Sequence, residues 1–120
     1  MLEIGIEEKD KTVIFSIAGE LSSSTVDEFD RSFKKYINSE FDVIALDLQY
    51  MPFLDSFAMN RIIKVSRTFA GSSRQFVLLN MNDAILNTFK IAGFEKFFKI
   101  MTGEEFNKKY FPGNDGKTDQ

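Results

Sequence analysis

The amino-acid sequence predicts an α/β domain on a single mixed sheet of about five strands, with helices packed mainly on one face and elements in the order ββαβαβαβα. Three observations predict it. Two short, almost wholly apolar runs, Asp42–Leu48 and Gln75–Leu79, lack the alternation of a half-exposed strand, so both faces of each are expected to be covered. Between them Ala58, Ile62, Val65 and Phe69 recur at spacings of four, three and four, the stripe of an amphipathic helix, which makes the stretch a βαβ unit with a right-handed crossover. Ahead of that unit lie two alternating runs close enough to form a hairpin.

Taken in order, Leu2, Ile4 and Ile6 alternate with Glu3 and Gly5, Lys9-Asp10-Lys11 supplies a polar turn, and Val13, Phe15 and Ile17 alternate within Thr12–Ala18. Gly19 ends this hairpin. Ser22-Ser23-Ser24-Thr25 then initiates a helix whose apolar positions are Val26, Phe29, Phe33, Tyr36 and Ile37, with Ser24 and Asp27, or Thr25 and Glu28, approximating a capping box. After the first buried strand, Asp55 and Ser56 open the central helix, which Gly71-Ser72-Ser73 closes. A further helix over Asp83–Ala92 takes Asn82 as its cap and Gly93 as its C′ residue, with Ile85, Leu86 and Phe89 inward. Phe97–Ile100 reads as a last strand, and Thr102 with Glu105 as the capping box of a terminal helix. Residues 1–111 make one domain, and the polar segment 112–120 is expected to be a disordered tail.

Composition narrows the function. Without His or Cys the chain cannot build a Ser-His-Asp triad, a thiolate site or the usual zinc centre. The seven glycines never fall into a GxGxxG or Walker spacing, and the net charge of −3 offers no basic field for nucleic acid. No enzyme, cofactor or metal is expected. MLEIGIEEKD is too acidic for a signal peptide, and no apolar run approaches the roughly 18 residues of a membrane span, so the expected location is cytoplasmic.

The most informative position is Ser56, a hydroxyl placed directly after Asp55 at the mouth of a helix. Unpaired N–H groups and the positive end of the macrodipole concentrate there, so a phosphate on Ser56 is electrostatically tolerated while transforming the surface. By the helical wheel Phe57 points toward the rim of that surface or folds under the loop with Met51 or Phe53. Asp55 caps the helix or positions Ser56, and Arg61 meets an acidic partner or nothing.

Gly19-Glu20-Leu21, Ala45-Leu46-Asp47-Leu48, Phe53-Leu54-Asp55-Ser56 and Gly93-Phe94, together with the order of elements, resemble the STAS domain of bacterial anti-sigma factor antagonists over nearly the whole chain. Those domains carry G-E-L-D after the second strand, a V-L-D-L strand leading to F-x-D-S-S-G, and a later G-F pair. The resemblance implies a partner switch: an anti-sigma serine kinase binds the unmodified domain and phosphorylates the serine matching Ser56, and a PP2C-type phosphatase reverses it. The expected partner-binding face comprises Ser22, Ser23, Ser24, Asp55, Ser56, Phe57, Met59 and Asn60. This chain departs at Phe57 and Ala58, where the family has Ser and Gly, and at Ser22, where it has Asp. The alternative is a STAS scaffold or ligand-sensing module that is not phosphorylated.

Overall fold

Leu2–Lys9 (β1) and Thr12–Gly19 (β2) pair antiparallel around Asp10-Lys11, with Asp10 in the left-handed region at φ 55°. The short Asp side chain makes that conformation accessible. In this computed structural model, which describes residues 2–69 and 73–111, the chain continues through α1 (Val26–Lys34), β3 (Val43–Tyr50), α2 (Ser56–Phe69), β4 (Gln75–Leu79), α3 (Asp83–Ala92), a 3-10 turn (Glu95–Phe97), β5 (Lys99–Met101) and α4 (Gly103–Tyr110). Gly71, Ser72 and the 112–120 segment lie outside the described residues.

The five strands lie in the order β1-β2-β3-β4-β5, antiparallel at the first pair and parallel thereafter. Consecutive residues of β3 point to opposite faces, and each face has its own core. Ile44, Leu46 and Leu48 join Phe15, Ile17 and Leu78 beneath α1, α2 and α3, which contribute Phe29 and Phe33, then Ala58 and Ile62, then Ile85 and Phe89. Val43 and Ala45 join Val77 and Leu79 on the other face, where Phe106 of α4 and Phe111 cover them. The absence of alternation in β3 thus has the expected cause, and three of the four helices share one face.

Local signals set several boundaries. Asn82 accepts the Ile85 N–H at 2.8 Å, and Gly93 closes α3 in the left-handed conformation at φ 78°. Replacing Asn82 by Ala is expected to lower stability by about 1 kcal/mol, read from the shift in the urea midpoint at unchanged slope. Thr102 and Glu105 form the reciprocal capping box at the start of α4.

Other expectations need correction. Neither capping box at the start of α1 forms: Thr25 is the N-cap, but its hydroxyl donates to the Glu20 carbonyl and accepts from the Ser22 N–H. Helix α1 ends at Lys34, before Tyr36 and Ile37, although Tyr36 remains buried. Arg74 stabilises this early exit by donating to the carbonyls of Tyr36 (2.7 Å), Ile37 (2.6 Å) and Ser39 (2.9 Å). The last strand is Lys99–Met101, not Phe97–Ile100, because Glu95–Phe97 coils into the 3-10 turn.

Tyr36 donates its hydroxyl to Glu8 Oε2 at 2.6 Å. Burial, reinforced by the hydrogen bond and the charge of Glu8, pushes its pKa up to about 12. A group whose folded pKa lies above its unfolded value binds its proton more tightly when folded. Its stabilisation is therefore complete below the unfolded value of 10.0 and is lost as pH rises toward 12. Burial also raises the pKa of the Tyr110 hydroxyl, so absorbance titration of tyrosinate should show a late-ionising component, and Glu8→Gln should move only the Tyr36 part of it to lower pH.

Candidate functional site

The strand ends place the site. Because β2 and β3 are parallel neighbours, the segments leaving their C-terminal ends, Glu20–Thr25 and Met51–Asp55, emerge at one end of the sheet. Asp55 accepts the Ala58 N–H on Oδ1 at 2.9 Å, and its carbonyl accepts from the Met59 N–H. It is therefore the N-cap of α2, which makes Ser56 the first helical residue, with an exposed side chain. The first-turn N–H groups and the dipole favour an anion at this point.

The serine segment beside it is internally bonded. Ser22 and Ser24 share a hydrogen bond between hydroxyls at 2.9 Å, and Ser22 accepts from the Ser24 N–H on its hydroxyl while its carbonyl accepts from the Thr25 N–H. Ser22 is half-buried, whereas Ser23 and Ser24 are exposed. These bonds hold a compact turn at the same end of the sheet as Ser56.

Of the expected face, Asp55, Ser56, Phe57 and Asn60 are exposed, and Met59 is not. Met59 lies in the main core with 6% exposure, because the buried stripe of α2 is wide enough to include it and Ile63 beside Ala58, Ile62 and Val65. Phe57 is 37% exposed and so reaches the rim without being sequestered under the loop. Arg61 forms an ion pair with Asp30 of α1 and braces the two helices against each other.

Two residues absent from the expected face belong beside it. Tyr50 and Phe53 are 65% and 56% exposed, so three aromatic side chains flank the Ser56 loop. Their clustering in sequence around Asp55 was the available signal. Asn80, at φ 59° just past β4, donates to Asp47 Oδ1 at 3.3 Å and accepts the Gly103 N–H at 2.7 Å, tying β3 and the start of α4 to the end of β4. Asn82 also donates to the Pro52 carbonyl at 3.3 Å, which fastens α3 to the Ser56 loop.

Charge at this end has one sign. Glu20, Asp27, Glu28, Asp55, Asp83, Glu104 and Glu105 lie in the described connections and first helical turns at this end, where no Lys or Arg occurs, and Asp47 lies within β3. Among the described connections and first helical turns at this end, the groups that favour an added anion at Ser56 are thus the N–H groups of α2. No group of three or more acidic residues among the described residues is arranged to hold a metal ion.

The STAS domain family model matches residues 3–106. The chain belongs to the STAS domain family. Its fold is similar to that of a Thermotoga maritima protein at TM-score 0.79, with 21% identity over 88% of this chain and 92% of that one. An anti-sigma factor antagonist from Mycobacterium paratuberculosis follows at TM-score 0.74, 16% identity and coverage of 84% and 86%. The Bacillus cell-fate determinant SpoIIAA in its phosphorylated form superposes at TM-score 0.69, with 19% identity and coverage of 89% and 98%. No curated protein sequence matches. Within this STAS domain no described helix is long and apolar enough to cross a membrane.

Proposed function

We propose that this STAS domain is an anti-sigma factor antagonist whose surface around Ser56 binds an anti-sigma serine kinase and is switched off by phosphorylation. The observation that carries the reading is the exposed Ser56 hydroxyl in the first turn of α2, beside the capping Asp55 and the exposed aromatic side chains of Tyr50, Phe53 and Phe57. The solved phosphorylated and unphosphorylated forms of SpoIIAA, which share this fold, support it by analogy.

In the proposed reaction the Ser56 oxygen accepts the γ-phosphoryl group of ATP on the kinase, loses its proton and releases ADP. The product carries about −1.5 to −2 charge beside Asp55. A partner surface fitted to a neutral hydroxyl and apolar rings then has to desolvate that charge, and it lets go. A PP2C-type phosphatase hydrolyses the ester and restores binding. The chain itself performs no chemistry in this scheme and acts in the cytoplasm.

Peptide mass spectrometry of the protein recovered from its own cells tests the reading. A phosphoryl group on Ser56 is expected; its persistent absence across growth and stress conditions favours the unphosphorylated scaffold. Phe57 at the position where the family has a second serine is the observation that keeps that second reading.

A further inference from the structure

At the opposite end of α2 from Ser56 lies a half-open cavity of about 430 Å³. That volume is within the range of small-molecule sites. Its walls are predominantly aromatic: Phe69 and Phe76 lie nearly parallel at an interplanar angle of 20°, and Phe98 is tilted against Phe76 at 6.3 Å between centroids. Phe94 and Phe97 complete the wall across the 3-10 turn, and Phe97 is 76% exposed. Phe76, Phe94 and Phe98 are only partly buried although they pack on the main core. A concave wall of incompletely covered rings is a surface that gains from a flat apolar guest.

The polar groups at the cavity set the guest's charge. Two lining residues, Arg67 and Arg74, carry guanidinium groups, and none of the described lining residues carries a carboxylate. Arg74 is committed to the carbonyls of Tyr36, Ile37 and Ser39 and lies over the Phe69 ring at 5.4 Å, so it contributes fixed positive charge without moving. The Ser66 hydroxyl donates to the Ile63 carbonyl of its own helix. Arg67 stands exposed in the last turn of α2 and takes part in no ion pair among the described residues. Its planar fork matches a carboxylate in a way that an ammonium group does not.

We infer that this cavity binds a small aromatic carboxylate, with the ring system against Phe76, Phe97 and Phe98 and the carboxylate on the Arg67 guanidinium. The assignment is independent of the role of Ser56, which lies at the other end of the helix. Rings along the wall favour a planar aromatic guest over an alkyl chain, since ring faces and edges add specific geometry to burial. The all-positive charge of the polar groups favours an anion over a neutral or cationic analogue.

Titration of 2-naphthoate into the full chain, followed by amide NMR shifts, tests the site, with 2-naphthamide as the neutral comparator. Saturable shifts confined to the Phe76, Phe97 and Phe98 region are expected, with Ser56 unmoved. Arg67→Gln should weaken naphthoate binding about tenfold while changing naphthamide less than about twofold. Phe97→Ala, at an exposed position whose loss the core tolerates, should weaken both about tenfold. No saturation, shifts that spread to Tyr50, Phe53 and Phe57, or an Arg67→Gln variant that binds naphthoate as well as the parent would overturn the assignment.

Discussion

Ser56→Asp is expected to lower affinity for the proposed partner, an anti-sigma serine kinase, by about a hundredfold, which corresponds to about 2.7 kcal/mol. The added carboxylate stands beside Asp55, at an end of the sheet whose described connections and first helical turns offer no Lys or Arg, so burying it against a partner fitted to a hydroxyl costs several kcal/mol. Ser56→Ala should bind like the parent and accept no phosphate, since a methyl group neither charges nor crowds the first helical turn. Isothermal titration of the three forms against the kinase separates these expectations. Equal affinity for all three would sink the switch.

Phe15→Ala should have the largest effect on stability, a loss of about 3–5 kcal/mol. Phe15 is fully buried on β2, with its ring 4.2 Å from that of Phe33 and edge-on to Tyr36 at 5.3 Å, so truncation opens a cavity where the sheet meets α1. A loss of that size is a large fraction of the about 5–15 kcal/mol that holds an ordinary domain together. Urea unfolding followed by far-UV circular dichroism should show either a much lower midpoint or no folded baseline. The exposed Phe97→Ala variant should stay close to the parent, because its side chain supports no buried contact of comparable size.

How far each element was legible depended on the range of the forces that set it. Helix α3 has the expected bounds because Asn82 and Gly93 act within a few residues of the ends they define. The Ser56 helix and both buried strands were legible because their apolar periods differ plainly. At Ser22–Thr25 the local signal was ambiguous: hydroxyls that can cap a helix can equally bond one another and the Glu20 carbonyl, and the second arrangement prevails. The aromatic run before Lys99 suggested a strand earlier than the one that forms, since nothing local distinguishes a ring wall from a sheet edge. Met59 was misplaced because the width of a buried stripe depends on what packs over it. The Arg61–Asp30 pair joins residues 31 positions apart and has no local signature. At the site, the motif around Asp55 and Ser56 was legible, whereas the exposure of Tyr50 and Phe53 became visible only once the loop had a shape.

Strand order in space repeats strand order in the chain, and this bears on how the domain is made. Each strand leaving the ribosome finds its neighbour already present, so the sheet grows at one edge, without threading and without waiting for a distant segment. The hairpin of β1 and β2 supplies the first template, β3 and β4 add to it as their helices close the connections, and the three-residue β5 is laid down last. Until Phe106 and Phe111 emerge, Val43, Ala45, Val77 and Leu79 stay uncovered. The nascent chain therefore passes through a stage with one finished face and one adhesive face, which ends when the segment carrying Phe106 and Phe111 folds over the sheet.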